Sequence, residues 1–421
     1  MRIAYLNNHY QLGGAETVTK QLHNGMLGYG HSSDILITEG RIIPSSKGVV
    51  SLYPRLLSKL DHSRFRRIIN KIAPRSEWTN RAVRNLIKSD YDLIHVHSFH
   101  GLYASIETLS LLVRAKPVVW TFHRFWGVTG GCDHPFGCTR YHSGCGSCPQ
   151  VGNFAVGPVD TTASEWASKM RWLRDLPLTV VAPSHHLAEV VRHSPIGQNW
   201  ETIVIHNGID INNFGISRKS SPEFRISHSL NPDKISLLFT NRNFRDPIKG
   251  WPIICDALWN VSHADIQLML VGEGSDWAAS QLPPGLDVID YGYISDRKKL
   301  ASLYEAADIF LYASQGENFP CAILEAMSSG CCIVTTPVDG VLEQLESGHT
   351  GFVADGMDGQ SLARCLTSVL ANRQKIMLIG IAARDKISDN FTEEQMIDQH
   401  ASLYRHVIKN HGNGSISPSA N

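Results

Sequence analysis

The chain has 421 residues, 43% of them hydrophobic and 19% charged, with 39 Lys+Arg balanced by 39 Asp+Glu. That length predicts two or three globular domains, and a net charge of zero gives no reason to expect nucleic acid as a partner. No run of 18 apolar residues occurs, and the start MRIAYLNNHYQLGG goes straight into a strand pattern, so neither a membrane-spanning helix nor a signal peptide is expected and the chain is placed in the cytoplasm. Its nine cysteines are expected to be reduced there unless they bind metal.

In chain order, residues 3–6 form a first short strand. The loop after it carries Gly13-Gly14-Ala15-Glu16 and runs into a helix over 17–27. Glycines at a strand-to-helix turn let backbone amides approach a ligand closely, and they also serve a purely steric turn. No G-x-G-x-x-G occurs there, which counts against a nicotinamide-dependent dehydrogenase. The stretch 55–88 is strongly basic, with Leu and Ile interleaved at near-helical spacing. Such a helix either rests peripherally on an anionic membrane surface or simply presents a solvated face. Residues 92–97 read as a buried strand. Asp90-Tyr91-Asp92 precedes that strand, so it reads as the lead-in to the strand and not as a metal-binding pair. A further strand over 117–123 ends on His123, which is a candidate to hydrogen-bond a ligand hydroxyl.

Directly after His123, the loop 123–150 holds Cys132, Cys138, Cys145 and Cys148, spaced C-x5-C-x6-C-x2-C. Four cysteines so close in a reducing compartment point to a tetrahedral structural zinc site, with disulfides or free thiols as the alternatives. The loop has little apolar material of its own, and a metal would order it. His134 and His142 are substitute ligands.

Beyond it, a helix over 164–173, a strand over 178–182 and a helix over 187–192 continue the alternation. Asn207-Gly208 marks a turn, and the Ser/Pro-containing stretch 212–233 reads as a linker. A strand over 235–240 leads into a loop carrying Arg242, Arg245 and Lys249 before Gly250. Strands over 266–271 and 288–291 follow, each ending in glycine, and then Tyr293-Ile294 and a helix over 298–306. The apolar run 308–312 is a strand, Ser314 to Asn318 is loop chemistry, and Pro320 suits a helix start that Gly330 later ends. Glu317 thus sits at a strand's carboxyl end and Glu325 more than a turn inside the following helix. In an open α/β sheet, ligands bind outside the carboxyl ends of the strands. Cys255, Cys321, Cys331, Cys332 and Cys365 lie in apolar contexts and read as core. Thr392 to Gln395 is a capping box that opens a last helix, and the tail from Gly412 reads as disordered.

The stretch ENFPCAILEAMSSG resembles the E-x7-E signature of family 4 glycosyltransferases, and GGAE and Asn207-Gly208-Ile209-Asp210 are similar to further landmarks of that family. The loop after His123 is similar to a branch found among exopolysaccharide, colanic acid-type transferases. The resemblance implies an α/β GT-B fold: two Rossmann-like parallel-sheet domains facing across a cleft, with a C-terminal helix crossing back. It divides the chain into an acceptor-side domain over 1–205, a nucleotide-sugar domain over 206–390, a returning helix over 391–410 and a tail over 411–421. It implies a retaining transfer from a nucleotide-sugar donor to a glycan or lipid-linked acceptor in polysaccharide assembly. Glu317 and His123 are then the catalytic-centre residues. The donor falls to Lys249, Arg245 (Arg242 in reserve), Glu325, Asn318, Phe319, Gly13, Gly14, Tyr293 and Ile294, with no catalytic metal. The rival readings are a GT-B nucleotide-sugar epimerase and a non-catalytic sugar-nucleotide-binding protein.

Overall fold

Short apolar runs alternating with helices of 3.6-residue period can bury both faces only as parallel sheets covered by helices. The computed structural model of the chain describes residues 1–10, 13–38, 48–52, 75–100, 104–153, 155–219 and 221–413, and it has that architecture twice.

The first sheet is built from β1 (Arg2–Asn7), β2 (Ser32–Ile37), β3 (Val49–Ser51), β4 (Leu93–Val96), β5 (Val118–Thr121), β6 (Thr179–Ala182) and β7 (Glu201–Val204). Its order is β3-β2-β1-β4-β5-β6-β7, all parallel. The second sheet has β8 (Ile235–Asn243), β9 (Ile266–Glu273), β10 (Asp287–Asp290), β11 (Ile309–Tyr312), β12 (Cys332–Thr335) and β13 (Gly351–Val353), ordered β10-β9-β8-β11-β12-β13, again parallel.

Two units emerge from the packing. One comprises Met1–His206 with Met396–Asn421, the other Asn207–Gln395. The chain thus ends in the unit in which it began. Its last helix, Glu393–Asn413, opens on a reciprocal cap in which the Gln395 amide N–H donates to Thr392 Oγ1 and the Thr392 N–H donates back to Gln395 Oε1. That helix runs two residues into the stretch read as a tail, and 414–421 lie outside the described residues. Each unit has its own apolar core. In the second, residues alternate between two clusters along each strand: Leu237, Phe239, Ile309 and Leu311 on one face, Leu238, Phe310 and Tyr312 on the other.

Two expectations are corrected, on the linker and on three of the cysteines. The stretch 212–233 is not a free linker: it contains the helix Pro222–Ser227, and Arg225, 4% exposed, forms a two-pronged ion pair with Asp308 at 3.0 Å and donates to Ser236 Oγ and the Lys234 carbonyl. Its polar composition was misleading because three of its cations turn inward: besides Arg225, Arg218 pairs with Glu305 and Lys219 donates to the Ala307 and Ser329 carbonyls, while most of the stretch stays exposed. Cys331 and Cys332 are buried as expected, whereas Cys255, Cys321 and Cys365 are partly exposed, with Cys255 and Cys365 packing at the margin of the apolar core. Asp90 and Asp92 both engage Arg2, the first through its side chain and the second through its backbone N–H, which accounts for the pair without a metal. Most of the basic stretch 55–88 lies outside the described residues; the part that is described is the helix Arg75–Leu86 and the turn after it. No helix among the described residues is long and apolar enough to cross a membrane.

Candidate active site

In the second sheet the strand order reverses between β8 and β11, the switch point where an open parallel sheet leaves a crevice at its carboxyl edge. The loops leaving these two strands are 244–250 and 313–320. They are tied together: the Gln315 N–H donates to the Ile248 carbonyl at 2.8 Å, and Ser314 Oγ donates to the same oxygen at 3.1 Å. Gly250 permits the approach. It lies at φ +79°, and a Cβ there would collide with the Ala313 carbonyl.

The meeting of the loops pairs Lys249 Nζ with Glu317 Oε1, and Ser314 Oγ donates to the same carboxylate oxygen at 3.2 Å. Behind Glu317, Asn318 and Phe319 are buried. Asn207 Nδ2 donates to the Phe319 carbonyl at 2.8 Å, and the Phe319 ring packs edge-on to Phe391. Gly340 backs directly onto the Asn318 carbonyl, leaving no room for a Cβ. Pro320 then caps the helix Cys321–Ser328, which carries Glu325, 7% exposed. Burial pushes the Glu325 carboxyl above its ordinary range, and Arg297, donating from Nη2 at 2.9 Å, pulls it back toward the ionised form. Arg245 and Arg242 are both exposed; the Arg245 guanidinium stacks 4.6 Å over the Trp277 ring. Tyr293 stands 65% exposed after Gly292 (φ +62°), with Ile294 half-buried beside it in sequence.

In the first unit the sheet reverses between β1 and β4. Gly13, extended at φ −162°, is the N-cap of the helix Gly14–Gly28 that leaves β1, and the buried Glu16 carboxylate lies against it. His123, just past β5, is half-buried; its Nε2 shares a hydrogen bond with His97 Nδ1 at 3.0 Å, and the two rings stack. Behind them His95 bridges the Tyr404 hydroxyl (2.6 Å) and Thr121 Oγ1 (2.7 Å), and His400 stacks on it from the last helix. Burial lowers the pKa of all four imidazoles, that of His400 to about 4, so at neutral pH they are uncharged.

Two family descriptions match this chain: Glycosyltransferase Family 4 over residues 12–213 and Glycosyl transferases group 1 over 234–372. The chain belongs to the family 4 glycosyltransferases. This glycosyltransferase is 22% identical over 424 residues to the putative colanic acid biosynthesis glycosyl transferase WcaC of Escherichia coli K12, covering 97% of this chain and 100% of that one. It is 24% identical to the phosphatidyl-myo-inositol mannosyltransferase of Mycobacterium leprae over 72% of this chain and 71% of the relative. Among solved structures it resembles Anabaena Alr3699/HepE, determined in complex with UDP and glucose and also with UDP-glucose (TM-score 0.70, 18% identity, 96% and 100% covered). It also resembles the sucrose-phosphate synthase of Thermosynechococcus elongatus (TM-score 0.74, 18% identity, 97% and 99% covered). The fold of this glycosyltransferase is GT-B.

The structure of the glycosyltransferase brings Lys249 to Glu317 and places His123 against His97. It leaves Arg245 on Trp277 and not in an ion pair at the Glu317 loop. Arg297, the partner of Glu325, escaped the sequence reading because it is 28 residues upstream in another helix, with no motif of its own. Asn207, read from sequence as a turn residue and part of a family landmark but given no partner, bonds the Glu317 loop. The four cysteines of the 123–150 loop line one small cavity.

Proposed function

We propose that this glycosyltransferase moves a sugar, with retention at the anomeric carbon, from a nucleotide-diphosphate donor to a glycan or lipid-linked acceptor in polysaccharide assembly. The single observation that carries the reading is the meeting of Lys249 and Glu317 at the β8–β11 switch point, with Glu325 in the helix that follows. As the bond from the anomeric carbon to the diphosphate oxygen breaks, negative charge grows on the leaving group. The Lys249 ammonium, joined by the Arg245 guanidinium, offsets it, which is work a divalent metal performs in other phosphate chemistry. Glu325, opposite Arg297, accepts hydrogen bonds from the ribose hydroxyls. Glu317 and the backbone amides of Asn318 and Phe319 hold the donor sugar, with Tyr293 and Ile294 beside the base and Gly13 and Gly14 closing on the phosphates or acceptor. Neutral His123 hydrogen-bonds a sugar hydroxyl at the reacting centre. The name of the Escherichia coli relative supports the polysaccharide assignment, and the UDP-glucose complex of the Anabaena protein makes UDP sugars the first donors to try. In this reading the enzyme works in the cytoplasm, and contact through the basic stretch 55–88 brings it to a lipid-linked acceptor.

A panel of UDP-, GDP- and dTDP-sugars tests this. Release of nucleoside diphosphate from one donor, lost in Glu317→Ala while calorimetric donor binding persists, is the expected result. Magnetic resonance of the product linkage reads retention directly. Failure to bind any nucleotide sugar would overturn the proposal.

A further inference from the structure

In the first unit, Cys132, Cys138, Cys145 and Cys148 converge on one cavity of ≈ 20 Å³, the space of about one water-sized sphere. None of the nine cysteines is paired in a disulfide. The chain folds tightly to bring these four together. Gly131, Gly137, Gly144 and Gly146 all have positive φ, and so do three non-glycine residues, Phe136, Cys145 and Ser147. Each of those three costs about 1 kcal/mol in the left-handed region. The segment has few apolar contacts to offset that cost: Phe136 is exposed, and among the described residues from 129 to 161 none belongs to the buried apolar core.

A second, independent feature lies beside the cavity. Lys169, on the helix Thr162–Leu173, is completely buried. Its ammonium donates to the carbonyls of Trp126 (2.7 Å) and Thr129 (2.9 Å) and sits 3.6 Å over the Trp126 ring, but it forms no ion pair among the described residues. The groups within electrostatic reach of it are Glu165 first, then Cys132, Cys145 and Asp133. A buried ammonium is stabilised by nearby negative charge, and neutral thiols add none to that of the two carboxylates. Four thiolates around a divalent cation carry a net charge of −2, and that charge would stabilise it.

We propose that Cys132, Cys138, Cys145 and Cys148 form a structural zinc centre whose negative charge is offset by the buried Lys169 ammonium. No three of the sulfurs lie within 4.8 Å of one another here, whereas zinc–sulfur bonds of about 2.3 Å require closer sulfurs, so binding draws the loop inward. Each ligating thiol gives up its proton to solvent as its bond to zinc forms, and no electrons move. The centre fixes the segment that continues directly from His123. In that segment Arg124 pairs with Asp133, the Phe125 N–H donates to the Asp133 carbonyl, and Trp166 Nε1 donates to the Tyr141 carbonyl.

The test is metal analysis of the full chain, purified without chelator. One zinc per chain is expected, falling at least fivefold in Cys138→Ser and Cys148→Ser. Should those variants fail to fold, cobalt exchange into the unaltered protein decides: a tetrahedral tetrathiolate site gives intense sulfur-to-cobalt charge-transfer and d–d bands. Stripping the zinc should also speed protease cleavage within 124–150 selectively. Substoichiometric zinc without the cobalt spectrum, disulfides found in the isolated protein, or an iron–sulfur chromophore would each overturn the proposal.

Discussion

Charge pairing at Glu325 and Glu317 sets what single side chains do in this site. Arg297 is the only cation paired with Glu325 among the described residues, and the carboxyl is buried. Replacing it, as in Arg297→Met, removes the larger of the two influences that lower the Glu325 pKa, leaving the Tyr304 hydrogen bond alone against the burial that raises it. The fraction ionised at a given pH therefore falls. The acidic limb of the kcat/KM profile for nucleoside diphosphate release should move to higher pH, and donor KM should rise about 10-fold or more. A profile that keeps its acidic limb would dissociate Glu325 from donor binding. Lys249→Ala acts differently, because it removes charge opposite the leaving group. Turnover is expected to fall by about 10²–10³, with a thermal midpoint within a few degrees of the parent, since the lysine is partly exposed.

Between elements, the donor-side loops depend on close backbone packing. Gly340, on the helix Asp339–Leu342, leaves space for the Asn318 carbonyl, and no Cβ fits there. Gly340→Ala should push the Glu317 loop aside, costing about 1–3 kcal/mol in denaturant unfolding and a larger share of turnover than of stability. Loss of stability with full turnover would mean the loop tolerates the shift. The helix Pro222–Ser227 is anchored by Arg225 to Asp308 at the start of β11. Arg225→Met removes the buried guanidinium and leaves the partly buried Asp308 carboxylate with the Ser236 N–H as its remaining donor, and a cost of about 2–3 kcal/mol is expected in the unfolding of the second unit. The packing of this segment was invisible in sequence because its composition is that of a linker and its partner lies 83 residues away.

Across the whole molecule, acid should act on the two units unequally. The neutral imidazoles His95, His97 and His400, which are buried, and His123, half-buried, all belong to the first unit. Between the ordinary histidine pKa near 6.5 and the folded value of about 4 for His400, the unfolded chain binds a proton that the fold refuses. Stability therefore falls as pH drops through that window, by about 3 kcal/mol from His400 alone. The buried Glu325 of the second unit has a raised pKa, so its contribution changes in the opposite sense, improving as pH falls. Scanning calorimetry at pH 7.5 and 5, with limited proteolysis to locate the opened segments, should show the first unit yielding first in acid, and His400→Leu should flatten the dependence. Equal loss in both units would contradict the assignment.

What was legible from sequence alone was local: apolar runs that can only be buried strands, glycines and Pro320 that bound the turns, and a carboxylate spacing that belongs to one loop and one helix. These are short-range constraints of backbone sterics and burial, so residues within a dozen positions determine them. The strand orders, the pairing of Lys249 with Glu317 and of Arg297 with Glu325, the inward use of Arg225, the histidine array completed by the last helix, and the buried cation within reach of Cys132 and Cys145 were decided only by tertiary structure. Each joins groups from about 24 to about 310 residues apart, or depends on which strands become neighbours. Hydrophobic pattern is blind to that information, because it says which face is buried and not what it is buried against.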